Sequence, residues 1–229
     1  MPATASTRSV AVARALLLCV SGALGLLGVP GCNIVSAAAY FLSPPRIQQA
    51  EFKLTEGRLA VLVEPARPEE DNPVFTQALC EKLAEIFRDH KVKAQLIPQD
   101  EVMKLRHQNR DFAKWSLQKV GRRLNAQQVL YIRIDRLQMR DEPTAPVLHA
   151  AVRMRLKVID PAAPSETARL WPGSSEPEGR LTERARPVTE TGDVVAEDAE
   201  ATKLGRDAAW MVAMPFYDVD LEKKTPWEP

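Results

Sequence analysis

The sequence predicts an α/β domain. The expected architecture is a single mixed, mostly antiparallel sheet with helices packed on one face, opening with a βαβ unit and closing with a β-meander and a C-terminal helix. Three observations carry it. An apolar run rich in branched residues, "RLAVLVE" (residues 58–64), precedes a stripe of apolar residues at helical spacing. Two later segments alternate apolar and polar residues strictly. A last amphipathic stretch runs up to Pro215. Period 2 next to period 3.6 is the pattern of sheet and helix sharing one core.

The elements follow in order. "RLAVLVE" suits a buried strand. The polar loop "PARPEED" leads to Asn72-Pro73, an N-cap followed by a proline in the first helical turn. Phe75, Leu79, Leu83, Ile86 and Phe87 then form one helical face, which predicts a helix to about residue 89 or 90. "VKAQLIP" (residues 92–98) reads as a second strand. Asp100 can cap a short helix carrying Val102, Met103 and Leu105, and Leu117, Val120 and Leu124 form another stripe, closed by Asn125, which tolerates the left-handed conformation. In "VLYIRIDRL" (residues 129–137), Leu130, Ile132 and Ile134 alternate with Tyr131, Arg133 and Asp135. In "AAVRMRLKVID" (residues 150–160), Val152, Met154, Leu156 and Val158 alternate with Arg153, Arg155 and Lys157. Such alternation predicts strands with one buried face. "TARLW" (residues 167–171) completes the meander. Residues 172–193 are polar and rich in turn formers, and read as a loop or disordered insertion. A helix beginning between residues 193 and 197 carries Leu204, Ala208, Met211 and Val212, and Phe216 and Tyr217 are expected against the core.

Composition bounds the rest. The chain has 229 residues, 45% apolar and 27% charged, which is ordinary for a globular protein. Its net charge is +1, and removal of a leader containing Arg8 and Arg14 would leave 29 basic and 30 acidic residues. Bulk charge therefore gives no reason to expect a nucleic-acid partner. Cys80 would be the one mature thiol apart from Cys32, so no internal disulfide is expected within the domain, and within a helical stripe it reads as a small buried hydrophobe.

The N-terminus has the form of an export signal. Arg8 and Arg14 precede the apolar residues 15–29, a run short for a membrane span. It ends in Val29-Pro30-Gly31-Cys32, which resembles a bacterial lipobox: Val29, Gly31 and Cys32 match, while Pro30 departs from the usual small residue. The resemblance implies cleavage before Cys32 and acylation of its thiol, and two or more acyl chains give stable anchoring where one is marginal. Ordinary cleavage after Ala37-Ala38-Ala39, or an uncleaved anchor reaching Leu42, are the competing expectations. Asn33 in place of Asp favours, by resemblance to enterobacterial sorting, the periplasmic side of the outer membrane over the inner membrane. The expected organisation is thus a signal peptide over residues 1–31, an extended membrane tether over 32–57, one α/β domain over 58–217 and a polar tail over 218–229.

The order of elements resembles the compact α/β domain of several envelope lipoprotein families: the curli-secretion channel lipoproteins, the lipoprotein activators of penicillin-binding proteins, and the N-terminal domain of the Tol-system translocation protein. In these a "LGADYVL"-type segment precedes the middle strand, and residues 124–130, "LNAQQVL", occupy that place, with Asn125 for the Gly and Gln127 for the Asp. The resemblance implies an envelope binding or assembly module.

No catalytic signature is legible. His90, His107 and His149 stand alone, without metal-ligand spacing, and no phosphate-binding glycine loop or nucleophile elbow is present. "DVDLE" (residues 218–222) lacks the rest of a calcium loop. Glu64, Glu69, Glu70 and Asp71 cluster at the first helix start, where dipole stabilisation and solubility account for them. No cofactor or metal is therefore expected. The sharper candidate is a partner-binding face: Arg133, Arg153, Arg155, Lys157 and Arg169 would project from one side of neighbouring strands, partly offset by Asp135, toward an acidic protein, a glycan carboxylate or anionic headgroups. Reversal of Arg153 and Arg155 to Glu is expected to abolish capture while sparing the fold. The functional expectation is a membrane-anchored, non-enzymatic binding or assembly lipoprotein of the cell envelope. The alternative is a secreted periplasmic hydrolase or transferase with an unrecognised site.

Overall fold

The computed structural model describes residues 47–142, 147–188 and 194–220. The expected signal peptide, the lipidation site Cys32, the tether up to residue 46 and the tail from residue 221 lie outside the described residues.

In chain order the elements are β1 (Ile47–Gln48), β2 (Gly57–Pro65), α1 (Pro73–Asp89), β3 (Ala94–Leu96), α2 (Gln99–Gln108), α3 (Leu117–Arg123), β4 (Gln128–Gln138), β5 (Ala151–Ile159), β6 (Arg169–Trp171), β7 (Arg180–Ala185), α4 (Val194–Ala213) and β8 (Val219–Asp220). The main sheet runs β3-β2-β4-β5, with β6 and β7 both paired to the far edge of β5. β2 is parallel to both β3 and β4. The pairings of β5 with β4, β6 and β7 are antiparallel. The fold is therefore the mixed α/β arrangement expected, βαβ first and meander second, except that helices lie on both faces of the sheet and not on one.

Strand parity builds the core. Leu59, Val61 and Val63 of β2, Leu130, Ile132 and Ile134 of β4, and Val152, Met154, Leu156 and Val158 of β5 point to one face, where they pack with the apolar stripes of α1 and α4. Each such side chain contributes about 1.5–3 kcal/mol on burial. At the start of α1, Asn72 Oδ1 accepts a hydrogen bond from the Phe75 amide at 2.9 Å, with Pro73 in the first turn. The two long helices cross closely at Gly205: a Cβ there would lie 2.6 Å from the Phe75 carbonyl oxygen.

The opposite face is covered at one end only. Ala60, Leu62, Val129 and Ile159 lie beneath Ile97, Val102, Phe112, Val120 and Leu124 from α2, α3 and their connections. Asn125, at φ 51°, takes the left-handed conformation after α3. The two glutamines that follow clamp the strand entry: Gln127 Oε1 accepts from the Arg58 amide at 2.5 Å, and Gln128 Oε1 from the Thr55 amide at 3.0 Å.

Three stretches differ from expectation. Residues 47–57, assigned to the tether, belong to the folded part. β1 pairs with β8, the Phe52 amide donates to the Pro215 carbonyl at 3.0 Å, and Leu54 is buried. Isolated apolar residues without a period gave no sign of this. Residues 219–220, assigned to the tail, form that second strand. Within residues 172–193, assigned to a loop, Arg180–Ala185 forms β7 along β5. Its sequence is polar because it is an edge strand, and Thr182 is its one buried side chain. Beyond β7, Arg186 bridges to Glu200 and Asp207 of α4 at 2.9 and 2.5 Å, tying the edge to the helix layer.

Candidate functional site

The uncovered end of the sheet carries the charged ladder. In register, Glu64 of β2 stands beside Arg133 of β4, and Arg133 beside Arg155 of β5; Tyr131 stands beside Lys157, and Arg153 beside Glu183 of β7. A β-bulge at Asp135 shapes this surface. Ile134 pairs with Met154 and Arg136 pairs with Arg153, so one extra residue is accommodated between them. Asp135 and Arg136 consequently share the outer face, and the buried parity resumes at Leu137 and Met139.

Asp135 is the hub. Its Oδ1 accepts from Arg133 Nε at 2.8 Å and its Oδ2 from Arg155 Nε at 2.6 Å. Burial alone would raise its pKa, but the hydrogen bonds from Arg155 and Arg133, with their charges, hold it below the usual carboxylate range. Its contribution to stability is thus present above the ordinary Asp range and lost as pH falls through the lowered value.

The other residues of the expected binding face divide by how far their charge is spent. Arg153 pairs with Glu183 at 2.6 Å and is about half exposed, at 52%. Arg169 Nη1 donates to the Pro177 carbonyl at 2.8 Å. Arg133 also reaches Glu178 at 3.8 Å. Lys157 keeps a lowered pKa because of burial and, despite Glu178, because of the charges of Arg169, Arg133 and Arg155. A depressed ammonium among three guanidinium groups marks a locally cationic spot where an incoming anion is favoured. Sequence alternation placed these five basic residues together. It missed the bulge, the acceptors Glu178 and Glu183, and the commitment of Arg155 to Asp135. Reversing Arg155 to Glu would set two carboxylates against each other, so that position is unsuited to a test of binding.

A second feature lies at the carboxyl ends of β2 and β4. A cleft of about 550 Å³ is lined by Glu69, Glu70 and Asp71 from the β2–α1 loop, Arg136 and Asp141 from the end of β4, and Glu197 of α4. Arg140, also in the wall, pairs with Glu197 at 3.1 Å, and Asp141 faces His149 Nδ1 at 2.9 Å. No group of three or more His, Cys, Asp or Glu side chains among the described residues has metal-holding geometry. Cys80 is buried, and burial pushes its thiol up to about 12.

No protein-family model matches the chain, and none of the curated proteins matches it. Among solved structures, the chain is similar to lipoprotein GNA1162 from Neisseria meningitidis at 13% identity, over 68% of this chain and 99% of that one, with a TM-score of 0.41. It is similar to the PelC dodecamer from Paraburkholderia phytofirmans at 12% identity, over 76% of this chain and 99% of that one, with a TM-score of 0.32. It is also similar to TolB from Acinetobacter baumannii at 7% identity, over 74% of this chain and 31% of that one, with a TM-score of 0.25.

Proposed function

We propose that the chain is a lipid-anchored, non-enzymatic binding module of the bacterial cell envelope, held to the membrane through Cys32 and presenting its charged sheet face to an anionic partner. The anchor part rests on Val29-Pro30-Gly31-Cys32 at the end of an apolar leader. The observation that carries the binding part is the cationic spot at Lys157, beside Arg169, Arg133 and Arg155 on the uncovered end of the sheet, with the half-exposed Arg153 on the same face. The partner is an acidic envelope protein or an acidic glycan, and Asn33 after Cys32, in place of Asp, favours the periplasmic side of the outer membrane. The alternative, a periplasmic hydrolase or transferase, draws on the carboxylate-lined cleft. His149 touches that cleft only through Asp141.

The test uses a photo-reactive residue at Leu181, an exposed position beside Arg155, in cells of the native host. The wild-type face is expected to give a defined adduct on irradiation. The double variant Arg153→Gln, Lys157→Glu is expected to lose it while keeping its thermal midpoint. Arg153→Gln surrenders only an exposed ion pair worth about 0–1 kcal/mol and sets no carboxylate opposite Glu183, and a carboxylate at 157 meets the cations already there. An adduct that survives the double variant removes this face as the docking surface.

A further inference from the structure

We propose that the cleft at the carboxyl ends of β2 and β4 is a binding site for an organic cation, a guanidinium or ammonium group, separate from the charged sheet face. Topology places it. From β2 the chain crosses over α1, on one face, to β3 on one side. It then returns through α2 and α3, on the other face, to β4 on the opposite side of β2. β2 and β4 are parallel neighbours, so their carboxyl ends lie side by side; the chain leaves β2 toward α1 and leaves β4 in the connection to β5, and the cleft opens between these two exits. The cleft is lined by those two loops, and its volume lies within the range of small-ligand sites.

Charge and satisfaction define the ligand. Five carboxylates and two guanidinium groups line the cleft. The Asn72 carbonyl oxygen of the side chain is spent on the Phe75 amide, and Glu197 on Arg140. Glu70 is the informative residue. Its side chain is only 4% exposed, unlike those of its neighbours Glu69 and Asp71. Its Oε1 accepts from Arg67. Its Oε2 is buried with no hydrogen-bond partner. A carboxylate oxygen withdrawn from water and left unpaired is costly, and a charged donor entering the cleft removes that cost. An exposed solubility cluster would not bury its middle member. The acidic excess selects a cation over an anion, and the single free oxygen suits one N–H donor, with Glu69 and Asp71 screening the remaining charge.

Isothermal titration of the detergent-extracted full-length protein with arginine ethyl ester tests the site, with a short neutral peptide bearing one internal arginine as a second ligand. Saturable binding is expected, and Glu70→Gln, which preserves shape, is expected to weaken it by roughly tenfold or more. Peptide binding well above that of the ester identifies a protein-borne cation, and comparable binding a free small one. Glu69→Lys, at an exposed position, puts a resident ammonium into the cleft and is expected to abolish binding without touching the buried carboxylate. The absence of saturable binding by wild type, or equal affinities for wild type and Glu69→Lys, overturns the assignment. These outcomes are independent of the adduct at residue 181.

Discussion

Replacing Gly205 by valine is expected to destabilise the domain by about 3 kcal/mol or more, at the upper end of overpacking costs. The reason is geometric. A Cβ at 205 would stand 2.6 Å from the Phe75 carbonyl oxygen, 3.0 Å from the Ala78 Cβ and 3.1 Å from the Leu79 amide nitrogen. Two of these are backbone atoms of α1, which cannot turn aside as a flexible side chain would. The helices must separate, and Leu204, Ala208 and Val212 then lose contact with the sheet core. Equilibrium denaturation in urea checks this: the midpoint should fall sharply with little change in slope. An unchanged midpoint would mean that α1 and α4 do not cross at this distance.

The second large effect is in alkali. Cys80 is held protonated by burial, with its pKa raised from an ordinary value near 9 to about 12. Burial, reinforced at Tyr131 by Glu64, raises Tyr131 and Tyr217 from near 10 to about 12 as well. For groups whose folded pKa is raised, the contribution is complete below the unfolded value and disappears as pH climbs through the folded one. Unfolding free energy should therefore fall between about pH 9 and 12, with a loss on the order of 4 kcal/mol from Cys80 alone at about 1.4 kcal/mol per pKa unit. Lys157, whose pKa is lowered, works the other way and offsets a small part. Cys80→Ala should flatten the slope between pH 9 and 10, where the tyrosines contribute least. If the slope is unaltered, the thiol is not held in its protonated form.

These effects separate what the sequence makes legible from what it hides. The central strands were readable because their buried faces impose period 2, and the start of α1 because Asn72-Pro73 has a single good use. The bulge at Asp135 was hidden: it shows only in the register shift between Ile134 and Arg136, after which the half-buried Leu137 returns to the core side. β7 was hidden because an edge strand needs few apolar side chains. The docking of residues 47–57 was hidden because Phe52 and Leu54 act singly. A helical stripe says that a helix is buried but not under which face, so the small layer of α2 and α3 on the second face required the structure.

The site divides in the same way. Arg133, Arg153, Arg155 and Lys157 fall on one face by parity alone, but their pairing depends on carboxylates of other strands and loops. Glu70 could not be told from Glu69 and Asp71 in sequence. The short turn at Pro68–Glu70 against β4 is what buries one of three adjacent acids.

The central claim is that this domain works from a lipid anchor at Cys32. Intact-mass measurement of the mature protein purified from membranes of its native host, beside a Cys32→Ser control, tests it most directly. The predicted result is a mass that begins at Cys32 and carries acyl groups, with the acylated species lost in the control. A mass beginning at Tyr40 without lipid would contradict the account and make the protein a released periplasmic one.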